Sequence, residues 1–227
     1  MTEIHSIGYI KSPWPERFGI PRQPGLAAGI KSYIVLEGPG DMHLSVRGLE
    51  DFSHIWVIFH FHDLKNDDWK PIVRPPRLGG KTGKGVFATR SPFRPNPIGL
   101  SAVKLLGIDL SGEHPVLEIE GGDFLNFTPV FDIKPYIPYA DSLPEAKSAW
   151  ASNEDPLLTV VWQCDAPQSN DLKIMIESTI ALDPRPAWER GKVGNANQSW
   201  GVKIEKCDVK WTVTEQGACI ISIEVEP

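Results

Sequence analysis

Phe52-Ser53-His54-Ile55-Trp56-Val57-Ile58-Phe59-His60-Phe61-His62 is the stretch on which the reading of this chain turns. Ile55, Val57, Phe59 and Phe61 fall on one side of an extended chain, and His54, Trp56, Ile58, His60 and His62 on the other. That is the two-residue period of a strand, and apolar residues on both sides mean that both faces are at least partly covered. Outward from it, Glu3 to Lys11, Ile30 to Leu36, Val86 to Ala88, Leu100 to Ile108, Val116 to Ile119 and Val130 to Ile133 read as further strands. No long amphipathic helix interrupts them. The first part of the chain is therefore expected to be mainly β, and a closed or nearly closed barrel would remove its edges. A connector rich in Pro, Ser, Ala and acidic residues runs from Pro135 to Pro156. Beyond it, Leu157 to Gln163 reads as a strand, Asp171 to Leu182 as a helix, and Val202 to Val213 and Ile220 to Val225 as closing strands. The expected organisation is a barrel domain over 1–139, a connector over 140–156 and a small α+β domain over 157–227.

The 227 residues are 41% apolar and 23% charged, an ordinary globular composition, and the 21 Pro and 20 Gly favour short strands and tight turns. No run approaches the roughly 20 apolar residues that a membrane span needs. Met1 to Lys11 also lacks the order of a secretory signal, so a cytoplasmic address is expected and no membrane partner. Cys164, Cys207 and Cys219 have no C-x-x-C spacing and read as structural thiols. The net charge of −6 is unevenly spread. From Trp69 to Ile108 there is no acidic residue, while Lys70, Arg74, Arg77, Lys81, Lys84, Arg90, Arg94 and Lys104 are basic. Such a block is a footprint for a phosphate-bearing partner.

Three familiar motifs fail on physical grounds. Gly80-Lys81-Thr82 resembles the end of a P-loop, but the glycine required five residues earlier is Pro75, which has no backbone donor. Gly121-Gly122 leads into Thr128-Pro129 and another strand, so no cofactor-capping helix of a Rossmann domain can start there. His60 and His62 have the spacing of two metal ligands on one strand face, but no third ligand follows, and no metal is expected.

The dense signal lies in Val46-Arg47-Gly48-Leu49-Glu50-Asp51-Phe52-Ser53-His54 and in Val86-Phe87-Ala88-Thr89-Arg90-Ser91-Pro92-Phe93-Arg94-Pro95-Asn96-Pro97-Ile98-Gly99-Leu100-Ser101. In the second, three prolines stiffen a loop that fixes the directions of two guanidiniums, as a binding site requires. Together with Ile7-Gly8, Ser12-Pro13, Pro21-Arg22-Gln23-Pro24-Gly25, Arg74-Pro75-Pro76-Arg77-Leu78-Gly79-Gly80, Thr128-Pro129-Val130, Asp132-Ile133-Lys134-Pro135-Tyr136 and Asp183-Pro184-Arg185-Pro186-Ala187, these blocks resemble the TrmO/TsaA-like family of tRNA N6-adenosine methyltransferases. The match is dense over the first ~140 residues and sparse beyond, with Leu157 to Asn170 departing from the pattern.

The resemblance implies a single-sheeted β-barrel methyltransferase with a small C-terminal domain, working as a homodimer. It also implies S-adenosyl-L-methionine as cofactor and, as substrate, N6 of threonylcarbamoyl-adenosine beside the anticodon of threonine tRNA. Carried over position by position, the cofactor residues are Pro21, Arg22, Gln23, His62, Asp63, Arg90, Leu100, Asp132, Ile133, Lys134 and Pro135. Arg22 or Arg90 suits the cofactor's carboxylate, and Asp132 its ammonium or ribose hydroxyls. Any proton acceptor is to be sought among His62, Asp63, Asp132 and Tyr136, although positioning alone could suffice. Arg74, Arg77, Arg94 and Arg185 are the expected contacts to the anticodon stem-loop, with Trp188 and Trp200 as candidates for stacking on bases. The alternative reading is a non-catalytic module that binds S-adenosylmethionine or RNA and acts through a partner.

Overall fold

The computed structural model describes residues 3–64, 68–151, 155–194 and 198–225. Alternating apolar residues build six strands that close on themselves. In chain order these are β1 (Gly8–Lys11), β2 (Lys31–Leu36), β3 (His54–His60), β6 (Ile98–Asp109), β7 (Val116–Glu120) and β8 (Thr128–Pro135). The order around the barrel is β1-β2-β7-β6-β3-β8. Between β3 and β6 lie two short strands, β4 (Ile72–Val73) and β5 (Lys84–Gly85), which pair as a separate hairpin.

The alternation in β3 is realised as expected. Ile55, Val57 and Phe59 are buried inside the barrel with Ile10, Ile34, Val103, Leu117, Ile119 and Val130. Gly99 of β6 lies opposite Phe59. A Cβ built there would come within 2.1 Å of the Phe59 ring, so the ring's place over the neighbouring strand favours a glycine at this point. Val86–Ala88, expected as a strand, is instead a 3-10 turn. The Val86 carbonyl is taken up locally, by the Thr89 amide at 3.1 Å and the Thr89 hydroxyl at 2.8 Å, which competes with strand pairing.

Further along come β9 (Val160–Trp162), helix α3 (Asn170–Ala181), β10 (Trp200–Ile204), β11 (Cys207–Thr214) and β12 (Gly217–Val225), preceded by the four-residue helices α1 (Met42–Ser45) and α2 (Pro138–Asp141). The strands form a sheet of order β10-β11-β12-β9, in which only the β12–β9 pair is parallel. The stretch Val202 to Val213, expected as one strand, is two, because the chain reverses at Glu205, whose φ is +52°. The Ser169 hydroxyl caps α3 by accepting from the Leu172 amide at 3.3 Å. Asp183 in the left-handed region (φ +47°) followed by Pro184 stops the helix at its other end.

The chain forms two compact units, and they are not consecutive in sequence. The first comprises Met1–Lys11, Tyr33–Ile119 and Phe127–Glu154, and the second Ser12–Ser32, Glu120–Asn126 and Asp155–Pro227. Apolar residues explain the second grouping. Ile176 and Ile180 of α3 are buried with Val202, Ile204, Val209, Trp211 and Ile220 of the sheet, and Phe18 packs against this cluster. Trp14, Ala27 and Ile30 are buried against Met175 and Leu182. Trp14 also donates its indole N–H to the Thr179 hydroxyl at 3.4 Å. Among the described residues, no helix is long and apolar enough to cross a membrane.

Candidate active site

In the first unit, β3 is the axis of the site. Its partly exposed residues pair directly with Leu100 of β6 and Asp132 of β8, both opposite Ile58, so these three side chains share one face of the sheet. The register slips between Ile58 and Phe59, leaving Phe131 as the extra residue, and its ring stacks on His60 with centroids 5.7 Å apart. Burial, and then the charge of His62, hold the His60 imidazole below its ordinary range. Where β3 ends, the Phe61 amide bonds the Pro97 carbonyl at 2.9 Å and the His62 amide turns back to the His60 carbonyl at 2.9 Å. His62 and Asp63 are thus set at the mouth of the proline-rich loop.

That loop is held by its own polar groups. The Ser91 amide donates to the Thr89 hydroxyl at 3.2 Å, and Arg94 reaches back to the carbonyls of Thr89 at 2.8 Å and Val86 at 3.3 Å. The Arg94 guanidinium also lies over the Phe87 ring at 5.6 Å. Arg94, expected at RNA phosphates, is therefore engaged in fixing the loop, while Arg90 is exposed. Lys70 bonds the Phe93 carbonyl through its amide and Val86 bonds Pro71, which ties the loop to the β4–β5 hairpin. The connection across that hairpin carries Arg74, Arg77 and Lys81, with Lys84 on β5. Arg74 is exposed, and Arg77 donates to the Ala151 carbonyl at 3.3 Å.

Of the four candidate proton acceptors, Asp132 and Tyr136 lie apart on β8 and just beyond its end. Asp132 accepts from the Ile133 amide at 2.9 Å and pairs with the Lys134 ammonium at 2.8 Å. Tyr136 lies toward the start of β3, where its amide bonds the His54 carbonyl and its ring meets Trp56 at 5.5 Å. It lines an open hollow of about 640 Å³ with Phe52 and His54. Four residues of strand, or about 13 Å, separate it from the row of Asp132. Ile133 and Pro135 line a second hollow of about 420 Å³ with Val46, Arg47 and Leu49, so two of the sequence motifs meet there. Among the described residues no three His, Cys, Asp or Glu side chains gather as a metal site.

Pro21, Arg22 and Gln23 belong to the second unit, so the residues expected to bind cofactor divide between the two units. Pro21 is buried. Arg22 donates to Asp155 at 2.8 Å and to the Asp183 carbonyl at 2.6 Å. Arg185, expected at the anticodon stem-loop, lies inside the second unit. Its side chain is 1% exposed, and its fork donates to both carboxylate oxygens of Asp183, Nε at 2.7 Å and Nη2 at 2.8 Å. It cannot also reach an RNA phosphate, because a buried carboxylate so close in sequence has claimed it. Asp155 escaped the sequence reading because its partner Arg22 is 133 residues away and no local period links them. Trp188 is exposed, whereas the Trp200 indole nitrogen is buried with no hydrogen-bond partner among the described residues.

Residues 9–142 match the model of the tRNA-methyltransferase O N-terminal domain, and residues 158–226 match that of the TrmO C-terminal domain. The chain belongs to the TrmO family. It is 39% identical over 236 residues to the tRNA (adenine(37)-N6)-methyltransferase of Escherichia coli, covering 98% of this chain and 97% of that one. It is 40% identical over 217 residues to a Pseudomonas aeruginosa protein, covering 92% and 91%. That relative's name assigns it provisionally to S-adenosylmethionine-dependent methyl transfer. The crystal structure of TrmO from Pseudomonas aeruginosa superposes with a TM-score of 0.79 at 33% identity, covering 99% of this chain and 97% of that one.

Proposed function

We propose that this protein methylates N6 of threonylcarbamoyl-adenosine beside the anticodon of threonine tRNA, using S-adenosylmethionine, in the cytoplasm and as a homodimer. The observation that carries the reading is the likeness over nearly the whole chain to the Escherichia coli enzyme, with Leu100 and Asp132 side by side across Ile58. The donor set suits the cofactor: Arg90 for a carboxylate, Asp63 and Asp132 for an ammonium or ribose hydroxyls, and Leu100 for an apolar edge. We keep Pro21, Arg22 and Gln23 in cofactor binding on the family resemblance. S-adenosylmethionine supplies an electrophilic methyl on a sulfonium when bound. The protein's part is to fix direction and to keep a bare cation away from that sulfur, and Lys134 is neutralised by Asp132 at 2.8 Å. The N6 proton of the carbamoylated adenine is acidified by its neighbouring carbonyl, and His62 and Asp63 are the acceptors nearest the stiff loop. Arg74 and Arg77, with Lys81 and Lys84, take phosphates of the anticodon stem-loop. The exposed apolar side chains Trp69, Ile72, Phe87, Ile98 and Leu100 support a dimer.

The deciding experiment is transfer of labelled methyl to tRNA with and without the threonylcarbamoyl group. Transfer only to the modified tRNA is expected. Equal transfer to both would remove the modified base from the reading, and no transfer to either would remove catalysis. Sedimentation of a monomer at working concentration would remove the dimer.

A further inference from the structure

Five side chains of the second unit, drawn from distant parts of the sequence, form one network. Asp183 is held in the left-handed region by its place after α3, where its amide bonds the Ile180 carbonyl at 3.0 Å and Pro184 forbids more helix. Its carboxylate, only 8% exposed, is gripped at both oxygens by Arg185. Arg185 is itself anchored by a bond from Nη1 to the Lys192 carbonyl at 3.0 Å. A planar fork on the buried carboxylate, the amide bond to Ile180 and the following proline together restrain the Asp183 peptide. The carbonyl of that peptide accepts from Arg22 Nη2 at 2.6 Å, and Asp155 accepts from Arg22 Nη1 at 2.8 Å. Arg190 closes the network. Its Nε donates to the Arg185 carbonyl at 3.0 Å, and its Nη1 lies 3.8 Å from the same Asp155 oxygen.

We infer that Asp155, Asp183 and Arg185 are positioning residues that hold the Arg22 guanidinium in one direction toward its ligand. The inference rests on the reading above that Arg22 belongs to the S-adenosylmethionine site, where its guanidinium suits an anionic group of the cofactor. The chain from Asp155 onward thereby completes a binding element whose arginine is carried by the segment before β2. Asp155 and Asp183, to which Arg22 donates, lie more than 130 residues away in sequence, so no local motif could have paired them with it. Charge agrees with this role. Among the described residues of this network three guanidiniums face two carboxylates, an arrangement that favours an incoming anion. Burial, and then the charge of Arg22, bring Arg190 down to about 10, which an added carboxylate or phosphate would relieve. Arg22 keeps 29% of its side chain exposed, enough for a ligand to reach it.

The test uses the full-length protein and the variants Arg185→Lys and Asp155→Asn, each alone and combined with Arg22→Ala. Arg185→Lys keeps the charge and loses the fork, and Asp155 is exposed enough that Asp155→Asn leaves the fold intact. Calorimetry gives the Kd for S-adenosylmethionine, and steady-state methyl transfer gives kcat and both KM values. Each single variant is expected to raise Kd and KM for the cofactor about tenfold while kcat and KM for tRNA stay within about twofold, and to add nothing in the Arg22→Ala background. An unchanged Kd in both single variants, or a loss of the same size without Arg22, would overturn the inference alone. If Arg22→Ala itself leaves Kd unchanged, the cofactor role of Arg22 falls, and the inference falls with it. Should Arg185→Lys fail to fold, Asp155→Asn decides by the same outcomes.

Discussion

Loop 89–97 in the first unit and the network around Asp183 in the second both fix arginines, by opposite means. In the loop, prolines and backbone carbonyls do the holding: Arg94 bonds Thr89 and Val86, and Arg90 is left exposed. In the network, carboxylates do it, and Arg185 is buried against Asp183. Each region thus holds one arginine as framework, Arg94 or Arg185, and keeps another with exposed surface, Arg90 or Arg22, a distinction that residue type alone does not make. It is sharpest for Arg185. Arg185→Ala leaves the Asp183 carboxylate buried and unpaired, so a loss of about 3–5 kcal/mol in urea unfolding is expected. Unchanged stability with a weaker salt dependence of tRNA binding would return Arg185 to the RNA-facing set and erase the contrast.

Arg90→Ala is the counterpart. An exposed loop arginine should leave stability within about 0.5 kcal/mol of the parent. The loss appears in binding instead. A charge-assisted bond to a carboxylate is worth roughly 1.5–3 kcal/mol, or about ten- to a hundredfold in cofactor affinity. Calorimetry with unchanged affinity would take Arg90 out of the cofactor site.

The barrel was legible because strand periodicity is local: the alternation from Ile55 to Phe61 needs no knowledge of partners, and β3 follows it. The stiff loop was legible for the same reason, since Pro92, Pro95 and Pro97 restrict their own backbone. What the sequence hid were long-range pairings. Asp155 meets Arg22, and Trp14 meets Thr179 across 165 positions, so the membership of 12–32 in the second unit has no local signature. Gly99 was read with the binding loop, and its close approach to Phe59 gives it a packing role inside the barrel. The pairing of Arg185 with Asp183 was not legible because two flanking prolines present an arginine equally well to solvent or to a buried neighbour.

A smaller effect is expected on the β4–β5 hairpin. Arg74→Ala and Arg77→Ala should each weaken tRNA binding without changing cofactor affinity. Each lost phosphate contact should lower the slope of log affinity against log salt by about 0.7–0.9. Arg77 also holds the Ala151 carbonyl, so its variant carries a structural component that Arg74→Ala lacks. Slopes identical to the parent in both variants would shift the RNA face away from the hairpin.

The smallest effect tests which unit senses acid. His60 lies against Phe131, and burial first, then the charge of His62, lower its pKa from the ordinary 6.5. A histidine whose folded pKa is depressed binds its proton more readily when the chain is unfolded. Stability from this group is therefore complete above about pH 6.5, declines as pH falls through that value, and levels off below the folded pKa. Arg190, at about 10, stays charged throughout this window, so it contributes no change there. His60→Gln should flatten the dependence of the urea midpoint on pH between about 7 and 5, by less than one proton in slope. His62→Gln removes only the second cause and should flatten it less, since desolvation of His60 remains. Profiles for His60→Gln that overlay the parent would show that the ring's burial beside Phe131 does not couple to folding, and the contrast between the units would then rest on their arginines alone.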